Sequence, residues 1–382
     1  LHPQIEKYTV GDDISIDQQL LGYDIAATSA HVHMLRSIGI LAKSELKMID
    51  TELKELMKLW KNGRFKLTNE FEDGHSAIEY YLTQKTGDVG KKVHTGRSRN
   101  DQALVMMRLY LKDSMQQINH KLADLTSTYS KQIDTHGTQQ MPGYTHTQKA
   151  MPSSVGMWLG SYHDAFRDII PYIAHTIQMI DQNPLGSAAG FGVNIQLDKE
   201  MTTRELGFSR TQQNPMYCGL SRGVFELMSV QSLNPIMTYV GKFASDMILF
   251  TSQEFNFFSL PANMTTGSSI MPHKRNYDVF EIMRANTTTF SSYANSLQSL
   301  STSIGSGYHR DLQLTKKITT DAFTVVHETL ETLLLCVSEL QVNKDTLSAA
   351  MTDELQTVAE INVLVENGMP FREAYLKIKN AL

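Results

Sequence analysis

Between Leu111 and Tyr129 the apolar residues Leu111, Met115, Ile118, Leu122, Leu125 and Tyr129 stand alternately four and three positions apart. That is the 3.5-residue repeat of a helix that packs along a seam against other helices. Extended back to Asp101, the helix reaches about 50 Å at ~1.5 Å per residue. A rod of that length needs partners along its whole course.

The rest of the chain supplies them. Pro152 suits the first turn of a helix that runs to about Gln182, where Asn183-Pro184-Leu185-Gly186 breaks it. Further runs cover about 222–253, with a kink expected at Pro235, then 278–303 and 315–342. Strand signals are almost absent. The predicted fold class is therefore all-α, with a central bundle of five long helices. Residues 285–303 are crowded with Ser, Thr, Asn and Ala, so their own helical propensity is modest. Small side chains there would let helices of several subunits approach closely, and a partly irregular segment is the alternative.

Shorter helices are expected on either side. Apolar residues recur at three- and four-residue spacing over 25–57, and Ser44 with Lys47 and Met48 opens a second helix. A loop follows at 62–69, and Glu72-Asp73-Gly74-His75 leads into a short helix ending near Gly87. After Asn343 the helices shorten again, and 366–374 holds a Gly stop and a Pro start. The division expected is an N-terminal helical domain at 1–97, the bundle at 98–342 and a C-terminal helical domain at 343–382, cut short at Leu382.

Composition narrows the function. Of 382 residues, 41% are hydrophobic and 20% charged, which is the balance of a globular chain rather than a disordered one. The net charge of -5 provides no general basic field for nucleic acid. No run approaches the ~18 apolar residues of a membrane span. Two cysteines, Cys218 and Cys336, make no disulfide framework or zinc site, and with no visible secretory signal a cytoplasmic location is expected.

The reactive residue types sit in polar, glycine-containing loops between the long helices, where binding and catalysis usually live. His94-Thr95-Gly96-Arg97-Ser98-Arg99-Asn100-Asp101 precedes the longest helix. Asn100 and Asp101 are natural N-cap residues, while two arginines beside a helix start suit a carboxylate. Met141-Pro142-Gly143-Tyr144-Thr145-His146-Thr147-Gln148 reads as the loop that opens the next helix. Residues 265–276 form a long polar stretch with Ser268, Ser269, Lys274 and Asn276, in the manner of a lid. Tyr308, Gln313 and Lys316 offer hydroxyl, amide and ammonium groups to a charged ligand. There is no dinucleotide fingerprint, Walker loop, nucleophile elbow or metal-ligand spacing, so no cofactor or metal is expected. Hydroxyls, imidazoles, amides and cations suit proton abstraction beside a carboxylate.

Taken together, these segments resemble the fumarase/aspartase superfamily and, within it, the argininosuccinate lyase family. Residues 267–276 look like the superfamily's signature loop. Gly-Arg-Ser-Arg-Asn-Asp-Gln at 96–102, Pro-Gly-Tyr-Thr-His-Thr-Gln at 142–148, 184–190 and 307–313 look like the family's other blocks. The resemblance covers about 20–372. It implies a homotetramer with sites built from loops of three subunits, and a reaction that splits argininosuccinate into arginine and fumarate. Matched position by position, Ser268 is the catalytic serine, taken as the carbon base, and His146 the catalytic histidine, which donates a proton or orients the donor. Lys274 would help to stabilise a Ser268 alkoxide and, with Asn276, Asn100 and Thr145, hold substrate carboxylates. His75 supports the site. Arg97, Ser98 and Arg99 would orient the succinyl end, and Tyr308, Gln313 and Lys316 the arginine end. Tyr277 stands where the signature loop usually has proline, and Ser221-Arg222-Gly223 where many members have Asp-Arg-Asp. The rival readings are another lyase of the superfamily, such as adenylosuccinate lyase, and a non-catalytic structural relative.

Overall fold

The six seam positions from Leu111 to Tyr129 are each at most 1% exposed, on a helix of 38 residues, Arg99–His136. This computed structural model describes residues 2–68 and 70–381. Asn69, at the end of the expected loop, and the terminal residues Leu1 and Leu382 lie outside the described residues. Four more long helices follow: Val155–Ile180, Val224–Phe250, Asp278–Thr302 and Leu314–Ser338. Their ends fall within a few residues of those read from the sequence, and the fold is all-α in class. Val224–Phe250 is continuous through Pro235, and Val155–Ile180 through Pro171. No helix among the described residues is long and apolar enough to cross a membrane.

Three sequence expectations need correction, while the helix read over 278–303 stands. Asp13–Ser37 is one helix of 25 residues, not a short element. Its only glycine, Gly22, does not break it but admits a neighbour: a Cβ there would lie 2.5 Å from the Trp60 ring. Asp278–Thr302 is helical throughout, so the irregular alternative for 285–303 falls. Its hydroxyls are satisfied by its own turns, Thr287 and Thr288 on the Arg284 carbonyl and Ser296 on that of Ser292. Strands are present, as four two-stranded pairings among the described residues. One of them, Gln140–Thr145 with Gln148–Ser154, contains Pro152, so the helix opens only at Val155. Finally, the longest helix starts at Arg99, which puts Asn100 and Asp101 inside its first turn. Asp101 caps from within, its Oδ1 accepting the Ser98 N–H at 2.8 Å.

The chain groups into two compact units. One takes in the chain up to Asn119, Pro171–Asn234 and Phe290–Val326; the other takes in His120–Ile170, Pro235–Thr289 and the chain from His327 on. Within the first, Leu21, Ile25, Val32 and Leu35 of Asp13–Ser37 pack with Ile49, Leu53 and Leu56 of Lys43–Lys61 and with Ile78 and Leu82 of Gly74–Thr86. Trp60 closes this cluster and donates its indole N–H to the Gln18 carbonyl at 2.8 Å. Arg108 is buried here as well, its guanidinium 3.2 Å from the carbonyls of Ile180 and Gln182 and 4.1 Å from the Phe225 ring centroid. Burial pulls its pKa down to about 10, against the pull of Glu226.

The second unit has an aromatic core. Tyr129 stacks near Tyr162 and Phe166 and meets Phe243 edge-on, while Trp158 stacks on Phe258 at 4.7 Å. Asp246 serves this cluster by accepting from Trp158 Nε1 at 2.8 Å and from the Tyr162 hydroxyl at 2.7 Å. Aromatic rings bury large areas but bring polar tips that need such a partner.

Candidate active site

The first unit contains a cleft of about 680 Å³ whose walls come from five stretches of sequence, at 13, 72–75, 99–103, 222 and 308–316. His75 stands in the first turn of Gly74–Thr86, Arg99 and Asn100 in the first turn of Arg99–His136, and Tyr308, Gln313 and Lys316 around the start of Leu314–Ser338. Six of the anticipated substrate-binding residues therefore share one wall system. Sequence reasoning missed Asp13, Glu72, Asp73, Arg222 and Arg310, which line it too.

Several of these groups are already engaged. The Lys316 ammonium lies 2.7 Å from Asp17 and 2.9 Å from Asp13 and is almost wholly buried. Burial opposes its charge, but Asp17 and Asp13 outweigh burial and hold its pKa above the usual lysine value. Asp17 spends its other oxygen on the Gly74 N–H at 2.9 Å. Gln313 donates to the carbonyls of Thr9 and Val10 and accepts from Arg310. Arg99 pairs with Glu72 at 2.5 Å and Asp73 at 3.2 Å. Arg222 sits 4.9 Å from the Tyr308 ring centroid, a cation–π contact that fixes one wall. Gly223 beside it has φ +80°, and a Cβ would come 2.7 Å from Ser301 Oγ, so any side chain at this position would be strained and crowded.

Two anticipated site residues of the 96–102 block, Arg97 and Ser98, do not line the cleft. Arg97 is buried and donates to Thr28 Oγ1 at 3.0 Å and the Val93 carbonyl at 3.2 Å. Ser98 Oγ accepts the Asn100 N–H at 3.3 Å. The block's main structural work falls to Asp101. Its Oδ2 accepts the N–H groups of Gly186 and Ala188 at 3.1 and 2.9 Å, tying the 184–190 block to the helix start.

In the second unit, Thr145 ends one strand of the hairpin and His146-Thr147 form its two-residue tip. Both tip residues have positive φ, 52° and 59°, the geometry of a type I′ turn. Tyr144, just before the tip, packs among Phe250, Phe255 and Phe257 and anchors the strand. The tip thereby presents the His146 imidazole to solvent on a rigid support. Thr147 is β-branched and unsuited to this φ, at a cost of order 1 kcal/mol. Thr147→Asn should therefore raise stability by about 1 kcal/mol, read as a higher denaturant midpoint. An unchanged midpoint would show that Thr147 carries no strain.

The signature loop is a second small hairpin. Thr266–Gly267 pairs with Arg275–Asn276, which closes residues 268–274 into a loop. Ser268 is half-buried, and its Oγ accepts the N–H groups of Ile270 and Met271 at 3.4 and 3.2 Å. Asn276 Nδ2 lies 3.4 Å from Thr266 Oγ1, which in turn donates to Asp278. Lys274 is exposed. Among the described residues, no hydrogen bond or ion pair joins Ser268 to Lys274, or His146 to either. No group of three or more His, Cys, Asp or Glu residues able to hold a metal occurs among the described residues.

The pattern that defines the lyase family matches residues 8–289. The chain is 41% identical to an argininosuccinate lyase of Thermotoga neapolitana, over 97% of this chain and 94% of that protein. It is 43% identical to the argininosuccinate lyase of Stenotrophomonas maltophilia, over 97% of this chain and 86% of that one. Among solved structures, EDDS lyase in complex with formate superposes with a TM-score of 0.80 at 22% identity, covering 98% of this chain and 74% of that one. Class II fumarase from Schistosoma mansoni superposes with a TM-score of 0.79 at 16% identity, covering 98% and 91%. These two likenesses show the shared helical fold, and the first two show the closer kinship: the chain belongs to the argininosuccinate lyase family of lyases.

Proposed function

We propose that the chain splits argininosuccinate into arginine and fumarate by β-elimination. The observation that carries this reading is the cleft lined by His75, Arg99, Asn100, Tyr308, Gln313 and Lys316, with aspartates and arginines between them. A substrate with several carboxylates, an ammonium group and a guanidinium group needs a wall of both charges. The near full-length likeness to argininosuccinate lyases supports the same choice over other lyases.

In this mechanism Ser268 is the carbon base. It removes a proton from the carbon beside one succinyl carboxylate, and the electron pair passes into that carboxylate as an aci-carboxylate dianion. The pair then returns to form the double bond of fumarate as the guanidino nitrogen departs. His146, or a group it orients, supplies the proton that nitrogen takes up. A serine hydroxyl is a weak base, so its alkoxide needs stabilisation, and the Ile270 and Met271 amides already point at Ser268 Oγ. Lys274 adds a positive charge on the same loop. Asn276, Asn100 and Thr145 hold the succinyl carboxylates, Arg99 orients that end, and Tyr308, Gln313 and Lys316 take the arginine end.

Four copies of the chain assemble in this reading, so that loops of different copies complete each site. Ala285, Thr288, Ser292, Asn295 and Ser299 support it, as a stripe alternately three and four residues apart on the outer face of Asp278–Thr302. Small side chains at that spacing suit a close helix–helix seam. Cys218 and Cys336 are buried and unpaired, which supports a reducing, cytoplasmic setting.

The test is fumarate release measured by ultraviolet absorbance, with argininosuccinate and adenylosuccinate in parallel. Release from argininosuccinate alone is the expected outcome. Release from adenylosuccinate alone would move the chain to the sister activity, and none from either would end the proposal. Light scattering on the same sample checks the tetramer.

A further inference from the structure

His75 lines the cleft, but its ring is held from behind. Its Nδ1 lies 2.5 Å from Oδ2 of Asp24, on Asp13–Ser37, and the pair is buried, with Asp24 wholly inaccessible. The other Asp24 oxygen, Oδ1, is buried without a hydrogen-bond partner. A carboxylate taken out of water normally gathers several donors, since each unsatisfied oxygen costs stability. Arg97 is close enough for its charge to be felt, yet its hydrogen bonds go to Thr28 and Val93, and its Nε has no partner among the described residues. Among the described residues Asp24 thus has His75 as its one hydrogen-bonded partner. A neutral asparagine would hold the ring in place with a smaller desolvation cost, so the negative charge itself requires a reason.

We propose that Asp24 is a positioning residue for the elimination, fixing the orientation and protonation of His75 so that Nε2–H faces the cleft as a donor to a substrate carboxylate. With Nδ1 committed to Asp24, Nε2 is the ring nitrogen left for the cleft. The inference rests on the reading of that cleft as the substrate site. Its logic is that of any histidine whose working nitrogen is set by the hydrogen bond made at the other.

The charges around the ring make the effect measurable. Asp24 and Asp17 face it from Asp13–Ser37, Asp73 from just before its own helix, and His94 from the segment before Arg99–His136. Lys316 offsets Asp17, Arg99 offsets Asp73, and Arg97 acts on Asp24. Burial by itself pulls the His75 pKa down, but Asp24 first, then Asp73 and Asp17, carry it above the ordinary histidine value. The imidazolium therefore survives to a higher pH than that of a free histidine. Asp24→Asn keeps an oxygen for Nδ1–H and removes only the charge. The ring should then lose its proton at lower pH.

The experiment follows the nitrogen-15 signals of His75 across a pH titration of the full chain without substrate, in wild type and D24N, beside pH profiles of kcat and KM from fumarate release. The wild-type ring should be doubly protonated near neutral pH. In D24N its titration should fall by about one pH unit or more. The alkaline limb of kcat/KM should move down with it, and KM should rise about ten- to hundred-fold above that limb, with less change in kcat. At the acid end D24N should approach wild type. A neutral wild-type ring near pH 7, or a D24N titration that coincides with wild type, would overturn the inference. So would a uniform loss of activity with the pH profile unmoved, which is what a purely structural Asp24 gives. If the wild type releases no fumarate, the reading of the cleft fails, and the nitrogen-15 titration still decides what Asp24 does to His75. Should D24N not fold, the wild-type protonation state decides alone.

Discussion

Replacing Ser268 with alanine should lower kcat for fumarate release by roughly a hundred- to ten-thousand-fold, the usual worth of a group that moves a proton in the transition state. KM should change little, because the carboxylate-binding groups proposed here remain. Stability should change little as well. Among the described residues the hydroxyl receives only the long contacts from Ile270 and Met271, in a loop whose neighbours Ser269 and Ile270 are exposed. Substitutions at such places usually stay within about 0.5 kcal/mol. A matched circular-dichroism melt separates lost chemistry from lost fold. The comparison that decides the order of roles is His146→Asn. If Ser268→Ala kept near-normal turnover while His146→Asn lost it, serine would not be the base.

Lys316→Met should cost stability, by about 3–5 kcal/mol, the range found when one partner of a buried ion pair is removed. The ammonium sits between Asp13 and Asp17, and methionine fills its volume while leaving two carboxylates without their counter-charge. Asp17 cannot simply turn to water, since its other oxygen is fixed on the Gly74 N–H. Adding Asp13→Asn to Lys316→Met should recover part of the loss by discharging one orphan. Denaturant unfolding followed by circular dichroism reads both, and a Lys316→Met midpoint equal to wild type would show that the cluster contributes nothing. The sign with pH follows from the raised lysine pKa: its contribution is complete below the unfolded value near 10.4 and fades only as pH rises through the folded value. Between pH 6 and 9, roughly, the cost should therefore be flat.

Elements that repeat a local rule could be read from the chain alone. The seam from Leu111 to Tyr129 shows because every turn restates it, and Asn183-Pro184-Leu185-Gly186 marks the end of the next long helix. The His146 hairpin was hidden because its tip lacks the Asn-Gly signal and places a histidine and a threonine at positive φ instead. The apolar spacing over 25–57 does not reveal that Asp13–Ser37 is one helix, and what seats Gly22 within it is Trp60, 38 positions away. The cleft residues were recognisable by type, as groups for an anionic and zwitterionic ligand. Their partners were not. Lys316 reads as a free cation until Asp13 and Asp17 close on it from about 300 residues away, and His75 reads as an ordinary supporting histidine until Asp24 stands behind it. Long-range pairing of single charged residues leaves no periodic trace.

The chain has two tryptophans, and they fall one to each compact unit: Trp60 against Gly22 in the first, Trp158 stacked on Phe258 in the second. Each is thus a built-in fluorophore for its own half of the molecule. Paired Trp60→Phe and Trp158→Phe proteins would give emission from one unit at a time, so a single denaturant titration of each would show whether the halves melt as one cooperative body or in sequence.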